Sequence, residues 1–310
     1  MSGPPAGPPP PHAPHAPHVP HAVVFDTDGV LLDSAVVHAA AWKTAFDAFL
    51  AEVREARGTP GPPDADGTRG TEGAPGARGT GEPGTSTAPP PAFPPASPPA
   101  PPDLAPFDED ADYRRHVDGK SRFDGAEAFL TARGIRLPPG HPDDPPGHDT
   151  VWAVAARKEA AFQDALAAAP LAAFPDAAEA LTHLHALRIP CAAVSASRHA
   201  RELLRATGLT PLLATVVDGV DTARLGLPGK PDPALFLHAA GLLGTGPGDA
   251  AVVEDALAGV RAGHRGGFRL VVGVDRTPDG RGAAVLRAEG ADRVVPDLMT
   301  LVRSVWGEIR

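Results

Sequence analysis

The chain has 310 residues, a formal net charge of −10 and a single cysteine, Cys191. This length allows one large domain or two modest ones with a buried core, and one cysteine excludes an internal disulfide. The acidic balance argues against nonspecific nucleic-acid binding, and no apolar run approaches the roughly 20 residues that a membrane span needs, so we expect a cytoplasmic protein that binds neither nucleic acid nor membrane.

Two segments are rich in proline and glycine. Residues 1–20 consist almost entirely of Pro, Ala, Gly and His, and residues 57–106 have a similar low-complexity composition. Neither segment has enough apolar side chains to offset the entropy lost on ordering, so we predict that both are disordered. The histidines at 12, 15, 18 and 21 are interpreted as part of a solvated tail, because such a tail offers no fixed ligand cage.

The first elements are a strand followed by helices. Residues 21–25 (HAVVF) predict a strand that ends at Asp26. Helical patterns follow at residues 34–57, 124–133 and 151–171. Since residues 35–172 contain no convincing strand, we predict that they form an inserted α-helical cap, interrupted by the disordered segment 57–106.

The rest of the chain alternates between helices and strands. The spacing predicts helices at 175–187, 200–207, 233–243, 256–264 and 283–289, and strands at 190–194, 214–217, 250–253 and 269–274. Strands separated by helices of this length predict an α/β core with a parallel, doubly wound sheet. We assign residues 21–34 and 173–310 to this core.

Polar residues follow the predicted strands at four points. These are Asp26 with Asp28, Ser195 in S-A-S, Lys230 in a G-K-P-D-P loop, and Glu254 with Asp255. Each has an ordinary explanation by itself: a turn, a helix N-cap, a solvated loop charge and the start of a helix. Ligands bind at the carboxyl ends of parallel strands, so the four together favour an active site.

The residue types suit phosphoryl transfer. One of Asp26 and Asp28 can attack phosphorus while the other exchanges protons with the leaving and entering oxygens. Two carboxylates facing a phosphate require a cation, and carboxylate oxygens of the Glu254–Asp255 pair favour Mg²⁺. Lys230 can neutralise the transferred group, and the hydroxyl of Ser195 with nearby amides can bind it.

Four segments in this order, FDTDGVLLDS, SAS, GKPDPALF and VVEDALAGVRAG, resemble the motifs of haloacid dehalogenase-like phosphotransferases, and more narrowly the β-phosphoglucomutase branch. The resemblance covers about residues 21–56 and 107–300. It implies a Rossmann-like core with a helical cap, Asp26 as the nucleophile and Asp28 as the general acid and base. It further implies Mg²⁺ held by the Asp26 side chain, the Asp28 carbonyl and Asp255, with Glu254 beside it, and phosphate bound by Ser195, Ala196 and Lys230.

The cap carries further matches to this branch. The stretch VDGKSRFDG resembles the cap loop of sugar-phosphate mutases, in which an arginine holds the non-transferring phosphate. The implied substrate and cap residues are His38, Trp42, Lys43, Ser121, Arg122, Lys158 and Arg198. Three residues depart from the branch pattern at sugar or phosphate contacts: Glu159, His199 and Ala256. Without the resemblance, Arg122 and His38 would be interpreted as ordinary helix or surface residues.

We therefore expect a monomeric enzyme whose partner is a small phosphorylated sugar and which interconverts β-glucose 1-phosphate and glucose 6-phosphate. A phosphatase with the same nucleophile is the alternative, because the sequence does not reveal whether water reaches the phosphorylated aspartate. A binding or regulatory protein on an inactive scaffold of this type is a third and more distant interpretation.

Overall fold

The computed structural model of the protein describes residues 19–58, 101–169, 171–277 and 279–307. Residues 1–18 and 59–100 of the two predicted disordered segments lie outside these ranges, and so do three of the four histidines of the tail. Residues 57 and 58, at the predicted start of the second segment, still belong to a helix.

The centre of the molecule is a six-stranded parallel sheet in the order β3-β2-β1-β4-β5-β6. This confirms the predicted doubly wound α/β fold. The strands are β1 (Ala22–Asp26), β2 (Cys191–Val194), β3 (Thr215–Val217), β4 (Ala250–Glu254), β5 (Leu270–Val274) and β6 (Arg293–Val295).

Helices surround the sheet and form a separate group between β1 and β2. They are α1 (Ala35–Gly58), α2 (Arg122–Ala132), α3 (Val151–Ala168), α4 (Pro175–Ala186), α5 (Ala200–Ala206), α6 (Gly219–Leu225), α7 (Ala234–Leu242), α8 (Leu257–Arg265), α9 (Ala283–Ala288) and α10 (Leu298–Trp306). In the part of the chain that the structure describes, no helix is both long and apolar enough to cross a bilayer.

The central strand β1 is buried on both faces, as its unbroken apolar sequence AVVF requires. Side chains of successive residues point to opposite faces of a strand. Val23 and Phe25 therefore pack in the core on one side of the sheet with residues of α4 and α10. Ala22 and Val24 pack on the other side with residues of α7 and α8.

The helical insertion, which we define as α1 to α3 with the loops between them, has a core of its own. Phe46, Phe49, Phe107 and Phe129 are fully or almost fully buried there, and the rings of Phe46 and Phe129 stack at 4.0 Å. Its described residues contain no strand, as the sequence analysis expected. Aromatic pairs of this kind add stabilisation beyond the area that they bury.

Three elements at the C-terminal half were not predicted: α6, β6 and α10. Strand β6 has only three residues at the edge of the sheet and begins with the exposed Arg293, so it carries little apolar pattern. The predicted helix 151–171 was too long. It ends at Ala168, and Ala169 is extended because the residue before a proline disfavours the helical conformation.

The order of the strands determines where a ligand can bind. From β1 the chain moves outward through β2 and β3 and then returns to β4 on the other side of β1. A crevice therefore opens at the carboxyl ends of β1 and β4. The helical insertion is connected close to this point by two segments that run side by side, where Asp33 N–H donates to Ala172 O at 3.0 Å and Phe174 N–H to Leu31 O at 3.0 Å.

Candidate active site

The crevice contains a group of buried charges centred on Lys230. Its ammonium donates to Oδ1 of Asp26, the last residue of β1, and to Oε1 of Glu254, the last residue of β4, the latter at 2.6 Å. All three residues are at most 4% exposed. Burial by itself lowers the pKa of Lys230, but the two carboxylates raise it above its ordinary value, so Lys230 carries its charge.

The carboxylates around Lys230 outnumber its single ammonium group. Oxygen atoms of Asp26, Glu254 and Asp255 lie within 4.8 Å of one another. Burial raises the pKa of Asp255 well above its usual range, and the charges of Asp118, Glu254 and Asp26 raise it further. Oδ1 of Asp255 is buried and has no hydrogen-bond partner among the described residues. A divalent cation with a preference for hard oxygen ligands fits this donor set.

The loop after β1 lies directly against this cluster. Gly29 has φ = +80°, and a Cβ atom at that position would lie 1.8 Å from Oδ2 of Asp255. Glycine is therefore required both by the left-handed backbone and by the approach of the carboxylate. The close approach also places the backbone of the Asp28–Gly29 segment beside the acidic cluster.

Asp28 is held from three directions. Its Oδ1 accepts from Ser34 Oγ at 2.6 Å and lies 3.3 Å from His38 Nε2, and its Oδ2 accepts from Ser195 Oγ at 2.7 Å. Burial would raise the pKa of Asp28, but His38 and the two hydroxyls lower it below its usual range. Asp28 is therefore ionised.

The helical insertion supports this carboxylate through His38. Lys158 Nζ lies 2.9 Å from His38 Nδ1, so a chain of contacts connects α3 to α1 and then to Asp28. The ring of His38 stacks on Phe162 at 4.2 Å. Burial lowers the pKa of Lys158 to about 8. The orientation of the imidazole is thus determined by residues on both α1 and α3.

A second polar group lies at the far side of the crevice. Oε2 of Glu159 pairs with Nη1 of Arg122 at 3.1 Å, and its Oε1 lies 2.5 Å from Nε2 of His199. Burial would raise the pKa of Glu159, but the hydrogen bond and charge of His199 lower it to about 2, with help from Gln163 and Arg122. Glu159 and His199, two of the three departures from the branch pattern, therefore contact each other.

A cavity of about 510 Å³ lies between the sheet and the helical insertion. Among the predicted site residues, the structure brings these to its wall: Asp26, Asp28, His38, Trp42, Ser121, Arg122, Lys158, Ala196, Arg198 and Lys230. Ser195 and Glu254 are completely buried behind this wall and bond to Asp28 and Lys230 respectively. Asp255 lines a neighbouring cavity of about 660 Å³, together with Gly29.

Lys43 is not brought to the cavity. Its ammonium donates to Asp47 Oδ2 at 2.9 Å and to Phe107 O at 3.0 Å. Lys43 points about 100° away from Trp42 around the axis of α1, and its pairing with Asp47 keeps it away from the cavity that Trp42 lines. Ser121 does line the cavity, and it also caps α2, because its Oγ accepts from Asp124 N–H at 3.1 Å.

Sequence reasoning missed Asp118 in the loop before α2. Burial and the charge of Glu254 raise the pKa of Asp118 to about 7. The next residue, Gly119, lies against the core, since a Cβ there would be 2.9 Å from Ala256 Cβ. A signal was present: Asp118 is the acidic residue of the VDGKSR stretch that also carries Arg122.

Comparison with known proteins identifies the family. A family model described as haloacid dehalogenase-like hydrolase matches residues 20–267. This is well over half of the chain, so the protein belongs to the haloacid dehalogenase-like hydrolases, as the four ordered motifs predicted. The chain is therefore an enzyme, a phosphotransferase or a phosphatase.

Individual relatives show which members of the family this chain is similar to. Proteins named beta-phosphoglucomutase from Mycobacterium bovis and Mycobacterium tuberculosis are 38% identical over 281 residues, which are 91% of this chain and 91% of each relative. The trehalose-phosphate phosphatase of Mycobacterium leprae is 34% identical over 116 residues, 37% of this chain and 25% of that protein. A solved HAD family hydrolase from Deinococcus radiodurans, with bound phosphate and sodium, is 27% identical with a TM-score of 0.53, covering 93% of this chain and 95% of that one.

Proposed function

We propose that the protein interconverts β-glucose 1-phosphate and glucose 6-phosphate through a phosphorylated Asp26. The observation that carries this proposal is the cavity with a basic side chain at each end. Lys230 lies beside Asp26 at the end formed by the strands, and Arg122 lies at the end formed by the helical insertion. Two such ends suit a sugar that carries phosphate at one position and then at another. The relatives named beta-phosphoglucomutase support the same choice.

The proposed reaction begins with phosphate on Asp26. The 6-hydroxyl of β-glucose 1-phosphate attacks phosphorus, the bond from phosphorus to the Asp26 oxygen breaks, and Asp28 takes the hydroxyl proton. The sugar bisphosphate then turns round in the cavity. An oxygen of Asp26 attacks the 1-phosphate, the bond to sugar O1 breaks, and Asp28 returns the same proton to O1.

The surrounding residues have supporting roles in this scheme. The Ser195–Ala196 segment and Lys230 would bind the transferring phosphate, and Ser121, Arg122 and Arg198 would hold the sugar or its other phosphate. His38, positioned by Lys158, would keep Asp28 ionised until it receives the proton. Trp42 would form an apolar part of the wall.

Mg²⁺ is the proposed cofactor. Asp26, Asp255 and the Asp28 carbonyl would hold it, with Glu254 beside them, since these oxygens suit a hard cation. When bound, it supplies positive charge that reduces the repulsion between the carboxylates and a phosphate.

The test is to supply β-glucose 1-phosphate, Mg²⁺ and a trace of β-glucose 1,6-bisphosphate, and to measure glucose 6-phosphate and free phosphate separately. We expect glucose 6-phosphate as the main product and none from Asp26→Asn. Free phosphate in place of glucose 6-phosphate would overturn the mutase assignment. An aluminium fluoride or beryllium fluoride complex, located by crystallography, should lie on the Asp26 carboxylate.

One observation favours the second candidate, a sugar-phosphate phosphatase. Glu159 already neutralises Arg122, so the far end of the cavity presents a paired charge instead of a free cation. Such an end suits the hydroxyl groups of a sugar better than a second phosphate dianion. In that case water would take the place of the sugar hydroxyl in the attack on phosphorylated Asp26, and Asp28 would again accept the proton.

A further inference from the structure

Arg276 is an unassigned residue close to the proposed cation site. It lies two residues beyond β5, and its side chain is 20% exposed. The guanidinium donates from Nε to Gly29 O at 3.2 Å and from Nη2 to Val30 O at 2.8 Å. A side chain just after β5 is thus attached to the backbone of the loop that follows Asp26.

That loop, residues 27–32, is a compact unit. Leu31 N–H and Leu32 N–H both donate to Thr27 O, at 3.0 and 2.9 Å, and Gly29 N–H donates to Leu32 O at 2.9 Å. Asp28 lies inside this unit and its backbone N–H donates to Asp26 Oδ2 at 2.9 Å. A displacement of the Gly29 and Val30 carbonyls would therefore displace the Asp28 peptide as well.

The other side of the guanidinium is fixed by Asp176, at the start of α4. The two oxygens of Asp176 accept from Arg276 at 3.1 and 3.2 Å, and Oδ2 also accepts from Leu298 N–H at 2.7 Å. The guanidinium carbon lies 3.7 Å above the ring of Phe174. Asp176 and Phe174 belong to the segment that leaves the helical insertion, so Arg276 is held where both connections to the insertion meet.

Only a planar group with several donors can make all these contacts. A lysine ammonium has no planar face to stack on Phe174 and cannot reproduce the paired bonds to Asp176 while reaching two carbonyls. Without the guanidinium, the carbonyls of Gly29 and Val30 and Oδ1 of Asp176 would each lose the donor described here. These contacts therefore require an arginine at position 276.

We propose that Arg276 is a positioning residue that holds loop 27–32, and with it the Asp28 carbonyl, in the place where the divalent cation binds. Asp176 orients Arg276 for this role. The inference rests on the proposed cation site but not on the choice between mutase and phosphatase. Arg276 acts through the backbone, so it influences cation binding without touching the substrate.

The test compares Arg276→Gln, Arg276→Lys and Asp176→Asn with the wild-type chain. Mg²⁺ binding is measured by titration calorimetry without substrate, and turnover of an aryl phosphate is measured at saturating Mg²⁺. We expect the Mg²⁺ Kd of Arg276→Gln to rise by about 10- to 100-fold, the range for residues that support metal ligands. Arg276→Lys should fail to restore binding, and Asp176→Asn should be intermediate. At saturating Mg²⁺ the KM should stay close to the wild-type value.

Arg281→Gln is the matched control, because Arg281 is in the same loop region, is 63% exposed and pairs with Asp279. Its Mg²⁺ Kd should equal that of the wild type. If Arg276→Gln does not fold, Arg276→Lys and Asp176→Asn decide the question. Wild-type Mg²⁺ affinity in the folded Arg276 variants would overturn the inference, as would a wild-type chain that binds no Mg²⁺. If the Arg276 variants bind Mg²⁺ more weakly than the wild type, but the wild type turns over no sugar phosphate, the proposed function would be overturned and this inference would stand.

Discussion

The two walls of the cavity are built differently. The core wall, which we define as Asp26 and Lys230 with Glu254 and Asp255 beside them, lies at the carboxyl edge of the parallel sheet. Asp26, Lys230 and Glu254 are at most 4% exposed, and Asp255 is half-buried. The insertion wall, defined as Arg122, Lys158 and Glu159, comes from helices, and Arg122 and Glu159 are about 20% exposed. The core wall contains the groups that we propose for phosphoryl transfer, while the insertion wall contains Glu159, a departure from the branch pattern.

On the proposed function, this difference places the reaction chemistry on the core wall and the selectivity for substrate on the insertion wall. Strand ends are held by hydrogen bonds to both neighbours, so they keep charged groups in one geometry. Helix surfaces can exchange one polar side chain for another with little change in the backbone. We therefore expect substitutions in the core wall to impair the reaction itself, and substitutions in the insertion wall to change stability, pH dependence or substrate choice.

The largest effect is expected for Asp28→Asn, next to the core wall. The amide cannot accept and return a proton, so kcat for the sugar phosphate should fall by about 10³-fold. Asp33→Asn is the control, because Asp33 lies five residues away and is exposed. Steady-state kinetics with both variants checks this. Equal rates for Asp28→Asn and the wild type would remove Asp28 from the proton transfer.

Lys230→Met tests the buried pairing in the core wall. Removing the ammonium leaves Asp26 and Glu254 buried without their partner, and the free energy of unfolding should fall by about 3–5 kcal/mol. Lys43→Met breaks an exposed pair with Asp47 and should lower it by less than about 1 kcal/mol. Urea denaturation in the presence of EDTA measures both. If both variants lose a similar amount of unfolding free energy, the buried pair does not contribute more to stability than the exposed pair.

A pH effect is expected from Lys158 in the insertion wall. Burial lowers its pKa to about 8 from an ordinary 10.5, so between these values the unfolded chain binds more protons than the folded one. The free energy of unfolding should therefore rise with pH through this window, by at most about 3 kcal/mol from this group. Urea denaturation below and above the window, compared between wild type and Lys158→Met, isolates the contribution.

The control for this pH effect is Lys43→Met. The hydrogen bond to Asp47 raises the pKa of Lys43, so its contribution to the pH dependence has the opposite sign. A wild-type chain and a Lys158→Met variant with the same pH dependence would show that Lys158 does not titrate as its burial requires.

The smallest effect is expected for Glu159→Gln. This variant releases Arg122 from its carboxylate, so the KM for a sugar bisphosphate should fall by about fivefold. This change corresponds to about 1 kcal/mol of binding free energy. Glu127→Gln, at an exposed position of α2, should have the wild-type KM. An increased KM in Glu159→Gln would mean that the carboxylate binds the sugar, and would favour the phosphatase over the mutase.

Much of the fold was determined by local patterns in the sequence. The apolar run before Asp26 and the regular alternation of strands and helices after residue 172 predict a parallel doubly wound sheet, which the structure confirms. Asp26, Ser195 and Glu254 could be proposed as site residues because each lies at or directly after the carboxyl end of a strand, and parallel strands bring these ends together. By contrast, β6 is too short and too exposed at its first residue to give such a signal.

Only the tertiary structure decided which side chains share a partner. The pairing of Glu159 with both Arg122 and His199 joins positions far apart in the chain, and no spacing rule connects them. The same is true of Arg276, which follows a strand as the other site residues do but acts on a loop 246 residues earlier in the chain. The sequence by itself determined which chemistry the strand ends can perform, because that depends on residue type and strand order. Packing between segments that are far apart in the chain determined how those charges are paired, because such contacts exist only after folding.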